Sequence, residues 1–122
     1  MTLTLVVGAA GAVGAVARYL VDGAVQDRTA GPFPFGTLAV NVVGSLVLGF
    51  LAGYTLSHAG GRTAKTVIGT GFCGGLTTWS TASWETVRLA EEGATSTAIT
   101  FTFVNVAASF AAAAIGIILL AS

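Results

Sequence analysis

Apolar residues fill four long runs separated by short polar stretches: Leu3 to about Val25, Phe35 to about Ser57, Thr66 to about Ala90, and Ser96 to Ala121. A helix crosses the hydrocarbon core of a bilayer with roughly 20 predominantly apolar residues, so each run is long enough to span. Between them, "QDRTAGPFP" carries both prolines, Pro32 and Pro34, "HAGGRTAK" pairs glycines with Arg62 and Lys65, and "EEGATS" follows the third run. Such stretches turn the chain and end helices. The pattern predicts a single all-α transmembrane domain over residues 1–122, with four helices at about 3–25, 35–57, 66–90 and 96–121. The first run lacks the positive flank of a cleaved leader and continues past the usual length of its apolar region, so it is read as a retained helix.

The third run departs from a regular helical composition. "GTGFCGGLTTWSTASWE" holds Gly69, Gly71, Gly74 and Gly75, and each glycine costs about 1 kcal/mol relative to alanine inside a helix. The expectation is a helix broken at mid-membrane, between Gly74 and Thr78. Irregular backbone at that depth persists only where protein, water or an ion satisfies its polar groups. The half-helix resuming beyond the break would aim its positive end, with the hydroxyls of Thr77, Thr78, Ser80 and Thr81, at the bilayer centre. Freed carbonyls suit a small cation such as Na⁺. The plainer alternative is a kinked packing helix whose hydroxyls bond back to carbonyls.

Polar residues in the other spans carry similar pairs of readings. Gly8, Gly11 and Gly14 form a small-residue face for close helix packing; a dinucleotide fingerprint would need a βαβ unit around them. Arg18 either snorkels to headgroups beside Tyr19 or stands as a vestibule cation that attracts anions or pins a neighbouring helix end. At mid-span it would cost about 2.5–3.5 kcal/mol, less near a helix end. Thr37, Asn41 and Ser45 share one face of the second helix. Asn41 needs a partner, because an unsatisfied amide in hydrocarbon costs several kcal/mol; that partner is a neighbouring helix or a dehydrating anion. Phe101, Asn105 and Ser109 form one stripe on the fourth helix, which serves equally as a hydrogen-bonding track or as interhelical glue. Trp79 can offer an anion its positive ring edge, and Trp84 reads as an interfacial anchor. Glu85, one turn beyond Thr81, is either a gating or proton-accepting carboxylate at a pore mouth or an ordinary helix-end acid.

Composition narrows the class further. Charged residues are 8% of the chain and hydrophobic ones 54%, whereas about a quarter of a soluble domain is charged. Five cations against five acids leave no basic face for nucleic acid. The one cysteine, Cys73, excludes an intrachain disulfide, and the one histidine, His58, lies in a loop and argues against a metal site built on imidazoles. Lysine and arginine set orientation by favouring the cytoplasmic side, and here they nearly tie. The side with both termini has Arg62 and Lys65; the opposite side has Arg28, with Arg18 and Arg88 nearer the helix interiors. The tie predicts insertion in both orientations and antiparallel pairing, the geometry of inverted repeats.

"GGLTTWSTASWE" resembles the third-helix signature of the Fluc (CrcB-type) fluoride ion channel family, which usually reads GGLTTFSTFS with a glutamate close behind. "GAVARY", "GTLAVNVVGSLVLGF" and "GTGFCGG" fit the family's pattern in the same order, so the resemblance spans the chain. It implies an antiparallel, dual-topology homodimer in the cell's inner (plasma) membrane, with two pores for passive fluoride efflux and neither catalysis nor an organic cofactor. It also implies a central structural Na⁺ on backbone carbonyls of Gly74 and Thr77 from each subunit. Family pore positions correspond to Asn41, Ser80, Thr81, Asn105 and Ser109, with Arg18, Thr37 and Glu85 toward the mouths. Two ring positions of the family pore are Trp79 and Ala82 here, and Phe101 stands where a tyrosine is frequent. Trp79 keeps an aromatic edge and adds an N–H donor; Ala82 supplies no ring. Three consequences stay open: a conducting homodimer with altered pores, a heterodimer with a paralogous chain that brings the missing ring, or weakened conduction. A small multidrug-resistance-type proton-coupled exporter is the alternative of another class, but it calls for a carboxylate inside the first span, and residues 3–21 contain none.

Overall fold

The computed structural model describes residues 1–121, and all regular structure among them is helical. Among the described residues three helices are long and apolar enough to cross a membrane: α1 (Thr2–Asp27), α2 (Phe35–Ser57) and α6 (Thr95–Ala121). The stretch between α2 and α6 is assembled from pieces. A single turn, α3 (Arg62–Ala64), leads into a π-wound segment, π1 (Lys65–Cys73), then a second turn, α4 (Gly74–Leu76), and after a gap the helix α5 (Ser80–Glu91). In the gap Thr77 is extended, with φ −79° and ψ 159°.

Two glycine-lined contacts organise these elements. Helix α1 packs along π1 and α4, while α2 packs along α6. A Cβ on Gly14 would overlap Phe72 O, and one on Gly75 would overlap Gly11 O; one on Gly71 would stand 2.9 Å from Val7 O. The other pair meets in the same way, since a Cβ on Gly116 would lie 2.7 Å from both Leu46 O and Phe50 N. Lipid tails are as apolar as leucine side chains, so helices in a bilayer associate through such close backbone approach. Of the small-residue face predicted for the first helix, Gly11 and Gly14 meet the glycine-rich segment, whereas Gly8 has nothing within 4 Å of where its Cβ would stand.

The connection from α1 to α2 is pinned by one side chain. Gln26 accepts the Gly36 amide on Oε1 at 2.8 Å and donates through Nε2 to Phe33 O at 3.3 Å. This satisfies an amide at the start of α2 that has no helical acceptor. Phe33 in that connection lies edge-on to the fully buried Phe101 of α6, with ring centroids 5.6 Å apart. Large apolar residues such as Leu5, Val13 and Leu20 on α1, and Phe103 and Phe110 on α6, are exposed. In a monomeric water-soluble domain such extended patches are rare; on a bilayer-spanning surface they are the expected covering.

Candidate functional site

The gap between α4 and α5 is held by Asn41, which reaches it from α2. Thr78 N–H donates to Asn41 Oδ1 at 2.7 Å, and Asn41 Nδ2 donates to Thr78 O at 3.1 Å, so one amide side chain grips both faces of a single residue's main chain. The second hydrogen of Nδ2 goes to Asn105 Oδ1 on α6 at 3.0 Å. Asn41, Thr78 and Asn105 are all buried. Burial of this much polarity is tolerable because the bonds join in one network.

Thr78 also starts the helix that follows. Its Oγ1 accepts the Thr81 amide at 3.0 Å, the side-chain cap expected of a threonine three residues ahead of an unpaired helix-start amide. The same oxygen lies 3.4 Å from Ser80 Oγ. On the other side of the gap, Thr77 turns back, with both its amide and its Oγ1 donating to Cys73 O at 2.9 and 2.8 Å.

Two cavities meet at Thr78. The larger, about 600 Å³, is lined by Asn41, Thr78, Trp79, Asn105 and Ser109 among others. The smaller, about 240 Å³, is lined by Arg18, Asp22, Thr37, Thr78 and Thr81 with their neighbours. Of the sequence-predicted residues, Asn41, Gly74, Thr77, Trp79, Asn105 and Ser109 line the larger cavity and Arg18, Thr37 and Thr81 the smaller, while Ser80, Ala82 and Glu85 line neither. In the larger cavity Ser109 Oγ is buried without a hydrogen-bond partner, and Asn105, whose Oδ1 is engaged, still has an amide nitrogen to offer. Around the smaller one, Thr37 Oγ1 donates to Glu85 Oε1 in a short hydrogen bond that ties α2 to α5.

Trp79 and Ser80 are exposed, while Ala82 is buried at 5% relative exposure. Gly74 is exposed, and nothing lies within 4 Å of where its Cβ would stand. Asn41 lines the larger cavity, yet both its amide hydrogens are committed to protein acceptors, so in this arrangement it offers an ion no donor. Thr78 is absent from the pore positions taken from the sequence. Its signal was readable in the spacing Thr78–x–x–Thr81, a threonine three residues ahead of the first amides of a helix that restarts after glycines.

Cation binding would have to rely on the main chain, because among the described residues no group of three or more His, Cys, Asp or Glu is placed to hold a metal ion. The break supplies suitable atoms. In a continued helix the Thr78 amide would close on Gly74 O and the Thr81 amide on Thr77 O; here the first is taken by Asn41 Oδ1 and the second by Thr78 Oγ1. Carbonyls so released are hard oxygen donors, the ligand type that suits alkali and alkaline-earth cations.

A family model described as CrcB-like protein, Camphor Resistance (CrcB), matches residues 5–117. The chain is 46% identical over 117 residues to the fluoride-specific ion channel FluC 1 of Frankia casuarinae, covering 92% of this chain and 91% of that one. It is 45% identical over 113 residues to FluC 1 of Streptomyces avermitilis, covering 93% and 91%. With FluC 2 of Cutibacterium acnes it shares 52% identity over 82 residues, 66% of this chain and 67% of that one.

Proposed function

The chain belongs to the CrcB family, and from that premise we propose that it is a fluoride-selective channel mediating passive efflux. It is a multi-pass protein of the plasma membrane and an ion-transport protein, not an enzyme. In this reading residues 62–91 form one span interrupted at Thr77–Trp79, and two chains pair antiparallel to give two pores. The observation that carries it is the interruption itself: a break whose buried Thr78 is clamped by Asn41 and lines two cavities, with a partnerless Ser109 hydroxyl at the larger one.

Conduction of fluoride requires that a tightly hydrated anion exchange water for protein donors that hold it only loosely. Arg18 raises the local anion concentration at the mouth of the smaller cavity, where the Thr81 hydroxyl receives the ion. Thr78 separates this vestibule from the larger cavity, and Ser80 beside it extends the run of hydroxyls. Beyond Thr78 the Asn105 amide, the Ser109 hydroxyl and the Trp79 ring edge or indole N–H replace water. Thr37 holds Glu85 to one side in this arrangement. A Na⁺ on the Gly74 and Thr77 carbonyls of both subunits would supply fixed positive charge where the two breaks meet; the exposed, uncrowded Gly74 suits that placement.

A second reading is an obligate heterodimer with a paralogous chain. It is favoured by Ala82, which is buried and ringless, and by relatives whose names carry the numbers 1 and 2. Fluoride efflux from liposomes holding this chain alone, with chloride measured in parallel, decides. Fluoride flux with chloride excluded is the expected result for the homodimer. No flux from this chain, restored by a co-reconstituted paralogue, selects the heterodimer, and equal chloride flux removes selectivity.

A further inference from the structure

Carbonyls become available to a cation only if something else takes the amides that would pair with them. At the break this is done by two side chains. Asn41 Oδ1 holds the Thr78 amide at 2.7 Å, away from Gly74 O, and Asn41 Nδ2 fixes the carbonyl of the same residue at 3.1 Å. Thr78 Oγ1 holds the Thr81 amide at 3.0 Å, away from Thr77 O. The carbonyls of Gly74 and Thr77 are thus among those of the break that lose their helical donors, and these two lose them to named side chains. Both deprivations trace to one residue, because Asn41 sets the orientation of Thr78.

Resting on the Na⁺ reading above, we propose that Asn41 is the positioning residue of the cation site: its side chain substitutes for Gly74 O as acceptor of the Thr78 amide and thereby keeps the carbonyl site open. Both hydrogens of its amide are spent on Thr78 O and Asn105 Oδ1, which is the bonding expected of a structural clamp. An anion-binding role would leave at least one N–H directed into the cavity. If the clamp is removed, the Thr78 amide becomes an unsatisfied buried donor, which is costly to leave unpaired. Its nearest remedy is to return to Gly74 O and wind the helix across the break.

Thermal unfolding of the purified full chain in detergent, in Na⁺ against N-methylglucamine at constant ionic strength, tests this. Wild type is expected to melt higher in Na⁺, because a ligand that binds only the folded state stabilises it. Asn41→Leu removes the acceptor and is expected to lose the Na⁺-dependent shift. Asn41→Asp keeps a carboxyl oxygen for the Thr78 amide and is expected to retain it. Asn105→Leu breaks the other bond of the same side chain and is also expected to retain it. A Na⁺ response in Asn41→Leu equal to that of wild type overturns the proposal, as does its complete loss in Asn105→Leu. Should Asn41→Leu not fold, Asn41→Asp decides alone: a retained response supports the clamp and a lost one overturns it. A wild-type protein indifferent to Na⁺ removes the Na⁺ reading and this proposal together, so the two failures are told apart.

Discussion

Ser109 carries a buried hydroxyl that bonds to nothing in the protein, one turn from Asn105 on the face lining the larger cavity. A buried polar group without a partner is destabilising by about 1–3 kcal/mol, so replacing it with a methyl group should not weaken the fold. Ser109→Ala is expected to melt at or above the wild-type temperature while fluoride efflux falls by an order of magnitude or more. Unchanged efflux would remove Ser109 from the ion path, and a lower melting temperature would mean that the hydroxyl has a structural partner. The stripe of Phe101, Asn105 and Ser109 was legible from spacing alone, because residues four apart share a helix face. The partner of Asn41 was not. Sequence spacing places the side chain on a face, but that it grips the main chain of Thr78, 37 positions away, follows only once α2 lies beside the break.

At the scale of elements, hydropathy separates the long apolar helices cleanly, since α1, α2 and α6 are each carried by one unbroken apolar run. The glycine density of residues 69–75 signals a departure from regular winding. It gives no sign that Lys65–Cys73 would be π-wound, because that depends on what the segment packs against. What it packs against is α1, backbone to backbone. Two substitutions in α1 separate packing from propensity. Gly14→Ala adds a Cβ that overlaps Phe72 O and stands 3.0 Å from Leu76 N, whereas Gly8→Ala adds one with nothing within 4 Å. Overpacking a tight contact costs about 1–3 kcal/mol, while alanine for glycine in an open helix position gains up to about 1 kcal/mol. Gly14→Ala is therefore expected to lower the melting temperature in detergent and Gly8→Ala to leave it level or raise it. Equal losses from both would mean that α1 does not approach the glycine-rich segment this closely.

For the whole molecule the decisive quantity is the distribution of positive charge. Arg62 and Lys65 lie on the side holding both termini, against Arg28 with Arg18 and Arg88 further into the helices. Because lysine and arginine near helix ends bias a protein toward the orientation that keeps them cytoplasmic, a near tie allows both. Removing two charges should break it. Arg62→Ala with Lys65→Ala is expected to insert with its termini outside. Arg28→Ala with Ser57→Lys, which shifts the balance the other way, is expected to insert with its termini inside. An antiparallel pair needs one copy of each, so either biased variant expressed alone should have lost most fluoride efflux, and the two expressed together should recover it. Orientation is read from the accessibility of a terminal tag on intact cells, and transport from efflux in the same cells. A variant found entirely in one orientation that still conducts at the wild-type rate would show that the conducting unit does not require opposed chains. Failure of the mixed pair to recover, with both variants inserted, would place the defect in the substituted loops. The physical weight of the test comes from its smallness: Arg28, Ser57, Arg62 and Lys65 line neither cavity and their substitution alters no donor proposed for the ion path, so a loss that complementation reverses points to how the chains pair.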